Sequence, residues 1–151
     1  MDDDFMSTRV AHSRHAFVRA GDHDYNFVVP KHSILLSIAR SGDKTIGLFA
    51  DEIRQDKFVI EYTGEFIKHV EYYRRYAKSC GNRHYYGVQF SDGETIDATR
   101  QGSLARFANH SWAPNCTLER WDVNGKVCCD LFAASLIGTE AIEVRPVSLR
   151  E

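Results

Sequence analysis

The stretch "ARFANHSWAPNC", residues 105–116, combines a polar pair with a rigid corner. Asn109 and His110 form the pair, and Pro114-Asn115 forms the corner, because proline fixes its own φ angle at about −65°. Between them lies Trp112, a large apolar residue in a segment that otherwise has the composition of a ligand-binding loop. Such a loop indicates a functional site held in place by the segments on either side of it.

The composition is that of an ordinary globular domain. The chain has 151 residues, of which 43% are apolar and 26% charged, so it fits one domain with a real core. A net charge of −2 does not suggest binding to nucleic acid, so we expect no direct DNA readout. No apolar run approaches the roughly 18 residues of a membrane span. The start "MDDDF" also lacks the layout of a signal peptide, and we expect an intracellular chain with no membrane partner.

Four cysteines, Cys80, Cys116, Cys128 and Cys129, form no C-x-x-C pair. We therefore expect reduced, structural thiols rather than metal ligands. Because neighbouring side chains of a strand point to opposite faces, we expect one of Cys128 and Cys129 in the core and the other near the surface.

Residues 1–33 show no clear periodicity and are predicted to be an irregular N-terminal arm that precedes a domain over 34–151. This arm holds four of the seven histidines, whose spacing forms no i, i+4 pair on an obvious helix. A metal site is the weaker interpretation of these histidines, which are His12, His15, His23 and His32.

From residue 34 onward the pattern predicts short strands. "ILLSIA" and "IGLFA" are separated by a turn, and "KFVIEYTGEFI" reads as two strands broken at Gly64. Asp92-Gly93 and Asn124-Gly125 each predict a β-hairpin. "HVEYYRRYAKSCG", residues 69–81, predicts a helix with Val70, Tyr73 and Ala77 at helical spacing and Gly81 past its end. The fold class predicted is mainly β with one helix.

Four motifs occur in a fixed order: "KTIGLFA" (44–50), "EYTGE" (61–65), "RHYYGVQFSDGETIDAT" (83–99) and "LARFANHSWAPNCTLERWDVNGKV" (104–127). Together they closely resemble a SET domain, and "RW-x-VNG-x-V" is most similar to the subgroup that acts on histone H3 lysine 36. The resemblance implies a β-clip, several small sheets around a knot-like crossing. It also implies an S-adenosylmethionine-dependent histone-lysine N-methyltransferase that acts on the histone H3 tail or nucleosome, in nuclear chromatin.

Methyl transfer from a sulfonium to an amine needs both reactants in line and the lysine in its neutral form. An apolar channel with aromatic walls favours the neutral amine, and aromatic faces attract cationic groups. The resemblance assigns this catalytic role to Tyr62, Tyr86 and Phe107. The alternative interpretation of each is a packed strand residue.

The resemblance also implies the contacts of the cofactor. In SET domains the Asn-His pair meets the adenine, and a G-x-G strip holds the methionine end. Here Thr45 replaces the first of those glycines, while the second is kept. The cofactor-binding residues so implied are Lys44, Ile46, Gly47, His84, Tyr85, Tyr86, Asn109 and His110.

Trp112 marks one departure from the subgroup, which has a zinc-binding cysteine at that position and three more cysteines after the domain. No cysteine follows Cys129 here, so we expect no metal. We expect Trp112 to cover apolar surface that the zinc tail would otherwise cover.

A second departure concerns the reaction. The family's last strand carries a tyrosine, whereas "GTEAIEVRPV" (138–147) has none and contains Pro146. Gly87 stands where the subgroup has a bulky aromatic residue, which predicts a wider channel. The sequence therefore predicts a methyltransferase of low activity. The alternatives are a catalytically impaired SET-derived module that binds cofactor or peptide in chromatin, and a general β interaction domain.

Overall fold

The structure, a computed structural model, describes residues 7–11, 34–42, 44–79, 86–123 and 125–145. It confirms a mainly β fold with one α-helix in the described part. The α-helix is α1 (His69–Lys78), and a short 3-10 helix covers Leu104–Phe107. The strands are β1 (Ser7–Ala11), β2 (Ile34–Ser41), β3 (Lys44–Ala50), β4 (Phe58–Glu61), β5 (Glu65–Lys68), β6 (Gly87–Ser91), β7 (Glu94–Asp97), β8 (Asn109–His110), β9 (Cys116–Val123), β10 (Lys126–Ala133) and β11 (Glu143–Val144).

Three small sheets form from these strands, in the orders β1-β2-β3, β4-β10-β9-β11-β8 and β5-β7-β6. Both predicted hairpins are present, as the antiparallel pairs β6–β7 and β9–β10. In the second hairpin Gly125 has φ +78°, a left-handed conformation that glycine adopts without steric cost. The two hairpins place the polar loop between them against one end of the largest sheet.

A chain crossing joins the end of the domain to that loop. Strand β11 lies between β8 and β9 and runs parallel to both of them. Residues 111–115 connect β8 to β9, so the chain carrying β11 crosses between two strands that this short loop joins. Just before β11, the backbone nitrogen of Ile142 donates to the carbonyl of Leu48 at 2.8 Å, which ties the crossing to β3. This geometry corresponds to the knot-like crossing that the resemblance implied.

One hydrophobic core connects the three sheets. It takes fully buried side chains from β2, β3, β4, β7 and β10 and from the segments around β11. Burial of large apolar side chains stabilises a domain by roughly 1.5–3 kcal/mol each, which makes this core the main source of stability. Its largest members include Leu36, Leu48, Val59, Ile96, Leu131, Ile137 and Ile142.

The prediction that one of Cys128 and Cys129 lies near the surface is wrong, because both are 3% exposed. Alternation does hold: Cys129 enters the main core and Cys128 faces the other side of the sheet. On that side Phe58 and Trp121 cover Cys128. The cysteines that the structure describes, which include Cys116, are free thiols, and Cys80 lies outside the described residues.

The face of α1 that packs against the sheet is not the face that carries the apolar residues Val70 and Tyr73. Val70 is 80% exposed and Tyr73 is 43% exposed, and the helix has no buried residue. The inner side instead carries Arg75, whose guanidinium bonds the buried carboxylate of Asp97 at 3.1 Å. This ion pair sets which side faces the sheet. Gly81, the expected helix end, lies outside the described residues.

The arm predicted to be irregular contains one regular element. Its residues Ser7–Ala11 form β1, which pairs antiparallel with β2. The rest of the arm, with its histidines, lies outside the described residues. Within the ranges given above, no helix is both long and apolar enough to cross a membrane.

Candidate functional site

A cavity of about 250 Å³ opens between the sheet β5-β7-β6 and the end of the largest sheet. Three phenols reach it from three separate parts of the fold: Tyr62 after β4, Tyr72 on α1 and Tyr86 before β6. Its opposite wall is formed around the chain crossing, where β8 and β11 run side by side. The polar or charged side chains on that wall are His110 and Arg145.

Tyr62 is held firmly at the inner end of β4. Its backbone nitrogen donates to the carbonyl of Cys129 at 2.7 Å. The hydroxyl of Ser103 donates to the carbonyl of Glu61 at 2.6 Å and so fastens the 3-10 helix beside it. Burial raises the pKa of the Tyr62 phenol above its usual value, and the nearby Tyr72 adds to this shift. The Tyr62 hydroxyl therefore stays protonated and can donate a hydrogen bond at neutral pH.

Tyr86 is fixed through its backbone. Its nitrogen donates to the hydroxyl of Thr99 at 3.2 Å, and its carbonyl accepts from the nitrogen of Ala98 at 2.7 Å. Its ring meets Phe107 edge to face, with centroids 5.8 Å apart. Phe107 is half-buried against the core and supports Tyr86 from behind, while the guanidinium of Arg106 lies 4.9 Å from the Phe107 ring centre.

Asp97 links the helix to the motifs around the cavity. Its carboxylate is 1% exposed, accepts from the nitrogen of Thr99 at 3.0 Å and pairs with Arg75. Arg75 also pairs with Glu65 at 2.7 Å. A Cβ on Gly64 would lie 2.6 Å from the carbonyl oxygen of Asp97. The backbones of the motifs "EYTGE" and "IDAT" are therefore in direct contact at this glycine. Only glycine allows so close an approach of the two backbones.

Asn109 and Gly47 lie together on the far side of the 3-10 helix. A Cβ on Gly47 would be 3.1 Å from Nδ2 of Asn109 and 2.8 Å from Cβ of Ser41. Nδ2 of Asn109 is buried and has no hydrogen-bond partner among the described residues. A buried amide without a partner is costly, which marks this place as one where a ligand acceptor would fit.

Of the residues predicted from sequence, the structure brings Tyr62, Tyr86 and His110 to one cavity. It places Gly47 beside Asn109, and Ile46 half-buried on β3 next to them. His84 and Tyr85 lie outside the described residues, as does the side chain of Lys44. Pro146 and the end of the chain after Arg145 also lie outside them.

A sequence model of the SET domain matches residues 45–140. The chain belongs to the SET-domain family. It is 39% identical over 97 residues to the histone-lysine N-methyltransferase ASHH2 of Arabidopsis thaliana, which covers 62% of this chain and 6% of that protein. It is 44% identical over 92 residues to an H3 lysine-36 specific histone-lysine N-methyltransferase of Schizosaccharomyces pombe, covering 59% of this chain and 12% of that protein.

The human histone-lysine N-methyltransferase SETD2 is 38% identical to this SET domain over 90 residues, 58% of this chain and 4% of that protein. The chain thus spans only a small part of the length of the curated relatives that it matches. The name of the Schizosaccharomyces pombe relative, which is H3 lysine-36 specific, agrees with the resemblance to the lysine-36 subgroup.

The residues of this SET domain fit S-adenosylmethionine. The buried amide of Asn109, which has no hydrogen-bond partner among the described residues, supplies a donor for a ligand acceptor, and the bare backbone of Gly47 packs tightly beside it. Within the described ranges, no group of three or more His, Cys, Asp or Glu side chains is arranged to hold a metal ion.

Two expectations change in the structure. Trp112 is 82% exposed, so the expectation that it covers apolar surface is wrong, and its side chain faces outward. The channel is also not simply widened at Gly87. A Cβ there would lie 2.5 Å from the hydroxyl oxygen of Tyr72, whose ring fills that space.

Three residues that line the cavity were not predicted from the sequence: Tyr72, Arg106 and Arg145. Tyr72 is on the helix, 15 positions before Gly87, and nothing local links the two. The available signal was the glycine at residue 87, where the subgroup has a bulky aromatic residue, because another side chain can occupy the space that the smaller residue leaves.

Proposed function

We propose that this SET domain transfers a methyl group from S-adenosylmethionine to the ε-amine of a lysine in histone H3. The observation that carries the proposal is a cavity where three phenols converge in a fold of the SET family. Tyr62, Tyr72 and Tyr86 offer hydroxyls and ring faces to a lysine side chain, which is long, apolar and ends in an amine.

The charges around the cavity favour the reactive form of lysine. Free lysine titrates near ~10.4 and is almost fully protonated at neutral pH. None of the described residues that line the cavity is acidic, whereas Arg106 and Arg145 both line it. Positive neighbours and loss of water both disfavour an ammonium, so a lysine that enters is shifted toward the neutral amine. This is the state that can attack a methyl group.

The cofactor would supply the methyl group on a sulfonium. Asn109 and Gly47 would hold it from the side of β3 and β8, and His110, also on β8, lines the cavity. The proposed cofactor set is completed, by the family resemblance, by Lys44, Ile46, His84, Tyr85 and Tyr86. The transfer itself then depends on alignment, since well-oriented reactants can gain several kcal/mol of barrier lowering.

Lysine 36 is the proposed target within histone H3, because several relatives are named for that specificity. The proposed setting is nuclear chromatin. The test is incubation of the chain and S-adenosylmethionine with recombinant nucleosomes, followed by mass spectrometry of H3. A methyl group on lysine 36 supports the target. Methylation confined to another lysine keeps the reaction and overturns the specificity.

A module that binds cofactor or peptide without turnover is the second candidate. It is favoured by the described end strand, which brings the methyl groups of Val144 and the cation of Arg145 to the cavity, and no hydroxyl. Calorimetry of cofactor binding, together with mass spectrometry of H3, distinguishes the candidates. Binding of S-adenosylmethionine or its demethylated product, with no methylation of any H3 lysine, favours the module. Absence of binding at millimolar ligand overturns both.

A further inference from the structure

We propose that Tyr72 places its hydroxyl at the transfer centre and orients the lysine amine there, a role that Gly87 makes possible. This inference rests on the proposed function, since it concerns the same cavity. It assigns a positioning task to a helix residue that lies outside all four sequence motifs.

The first observation is steric. The glycine at residue 87 opens β6, and a Cβ at that position would overlap the ring of Tyr72 and lie 2.5 Å from its hydroxyl oxygen. Real Cβ atoms do not approach that closely, so the present position of Tyr72 requires a residue without a side chain at 87. Tyr72 and Gly87 thus act as one unit: the aromatic bulk reaches the cavity from α1 instead of from β6.

The second observation is electrostatic. After burial, Tyr72 is the strongest of the groups that raise the pKa of the Tyr62 phenol. Tyr62 and Tyr72 also line the same cavity, one from the end of β4 and the other from α1. A phenol hydroxyl can donate one hydrogen bond and accept others.

The third observation is how firmly α1 is anchored around Tyr72. One turn before it, the nitrogen of His69 donates to the carbonyl of Gly93 at 2.8 Å, and Nδ1 of His69 lies 2.7 Å from the hydroxyl of Thr95. One turn after it, Arg75 pairs with the buried carboxylate of Asp97. Tyr72 is therefore held from both ends, although the helix has no buried residue of its own.

These features match what a reacting amine needs. A neutral amine has two N–H donors and one lone pair, and only the lone pair attacks the methyl carbon. Acceptors on the two N–H groups aim the lone pair. In this proposal the phenol oxygens of Tyr62 and Tyr72, which line the same cavity, accept these two bonds. The described end strand, Glu143–Val144, carries no tyrosine, so this pair can provide the alignment from the other side of the cavity.

The test uses Tyr72→Phe, which keeps the ring and removes the hydroxyl. We expect the single-turnover rate of methyl transfer to an H3 peptide to fall by roughly 10²-fold, by analogy with loss of one transition-state hydrogen bond. Cofactor affinity and melting temperature should stay at wild-type values. Tyr76→Phe is the matched control, because Tyr76 lies on the same helix and is 55% exposed, and it should leave the rate unchanged.

A second variant tests the same pair of residues, and a second measurement records peptide binding instead of a rate. Gly87→Ala should displace Tyr72 and slow transfer as Tyr72→Phe does. With the demethylated cofactor bound, Tyr72→Phe should also lower the affinity for a lysine peptide relative to the affinity for a norleucine peptide, which lacks the amine. Wild-type rates and an unchanged peptide ratio in Tyr72→Phe would overturn the role of Tyr72 alone. A wild-type chain that neither methylates H3 nor binds either peptide would overturn the proposed function and this inference with it.

Discussion

The side-chain oxygen of Asn115 accepts a hydrogen bond from the backbone nitrogen of Glu143 at 2.8 Å. Its side-chain nitrogen donates to the carbonyl of Ala141 at 2.9 Å, and its own carbonyl accepts from Ala134 at 2.8 Å. One residue of the loop thereby bonds the crossing chain on both sides. Asparagine suits this place because its amide carries both a donor and an acceptor.

Asn115→Ala should destabilise the domain by about 2 kcal/mol, since two half-buried side-chain hydrogen bonds are lost and two backbone groups lose their partners. Urea unfolding measures the change. Ser111→Ala is the control within the same loop: its hydroxyl accepts one exposed bond from Ala113, and its effect should be much smaller. Equal effects of the two variants would show that the crossing is not fastened by Asn115.

Gly47→Ala should weaken S-adenosylmethionine binding by at least ~10-fold, because overpacking of a tight site forces its neighbours to move. The new Cβ would press on Ser41 and on the amide of Asn109. Calorimetry gives the affinity, and Asn109→Ala should reduce it as well. Gly138→Ala is the control, since its Cβ would meet only a flexible carboxylate of Glu140 at 3.3 Å. Unaltered affinity in Gly47→Ala would remove Gly47 from the cofactor site.

Asp130 predicts an unusual dependence of stability on pH. It is fully buried on β10, between Glu61 and Glu119 on the neighbouring strands, and neither oxygen has a hydrogen-bond partner among the described residues. Burial and these two carboxylates raise its pKa from 3.8 to about 7. The folded state therefore binds more protons than the unfolded state between these values, and stability falls as pH rises through that window.

Asp130→Asn removes this ionisation. At pH 8 the variant should be more stable than wild type by a few kcal/mol, on the order of the linkage for a shift of this size. At pH 4, where Asp130 is largely protonated when folded, the two proteins should differ little. Urea titrations at both pH values measure the difference. A variant that is less stable than wild type at pH 8 would show that the carboxylate has a stabilising partner.

Trp112→Ser should change the free energy of unfolding by no more than about 0.5 kcal/mol, as is usual for an exposed side chain. The indole is 82% exposed, so little apolar area is lost from the interior. Thermal melting of the two proteins checks this. A drop of several degrees would restore the hypothesis that Trp112 covers apolar surface.

Much of this fold follows from local sequence. The hairpins form where Asp92-Gly93 and Asn124-Gly125 predict them, since turn chemistry is set by adjacent residues. The grouping of Tyr62, Tyr86 and His110 follows from family motifs rather than from spacing. The features missed depend on contacts between distant segments: the buried Cys128, the outward Trp112 and the inner side of α1, which an ion pair selects over apolar spacing.

The most direct test of the central claim, that the phenol-lined cavity is where methyl transfer occurs, is single-turnover transfer of labelled methyl to an H3 peptide. Wild type and Tyr62→Phe are compared, with cofactor affinity measured for both. The account predicts transfer by wild type, and a roughly 10²-fold slower rate in Tyr62→Phe with cofactor still bound. Equal rates in the two proteins, or no transfer by cofactor-bound wild type, would contradict it.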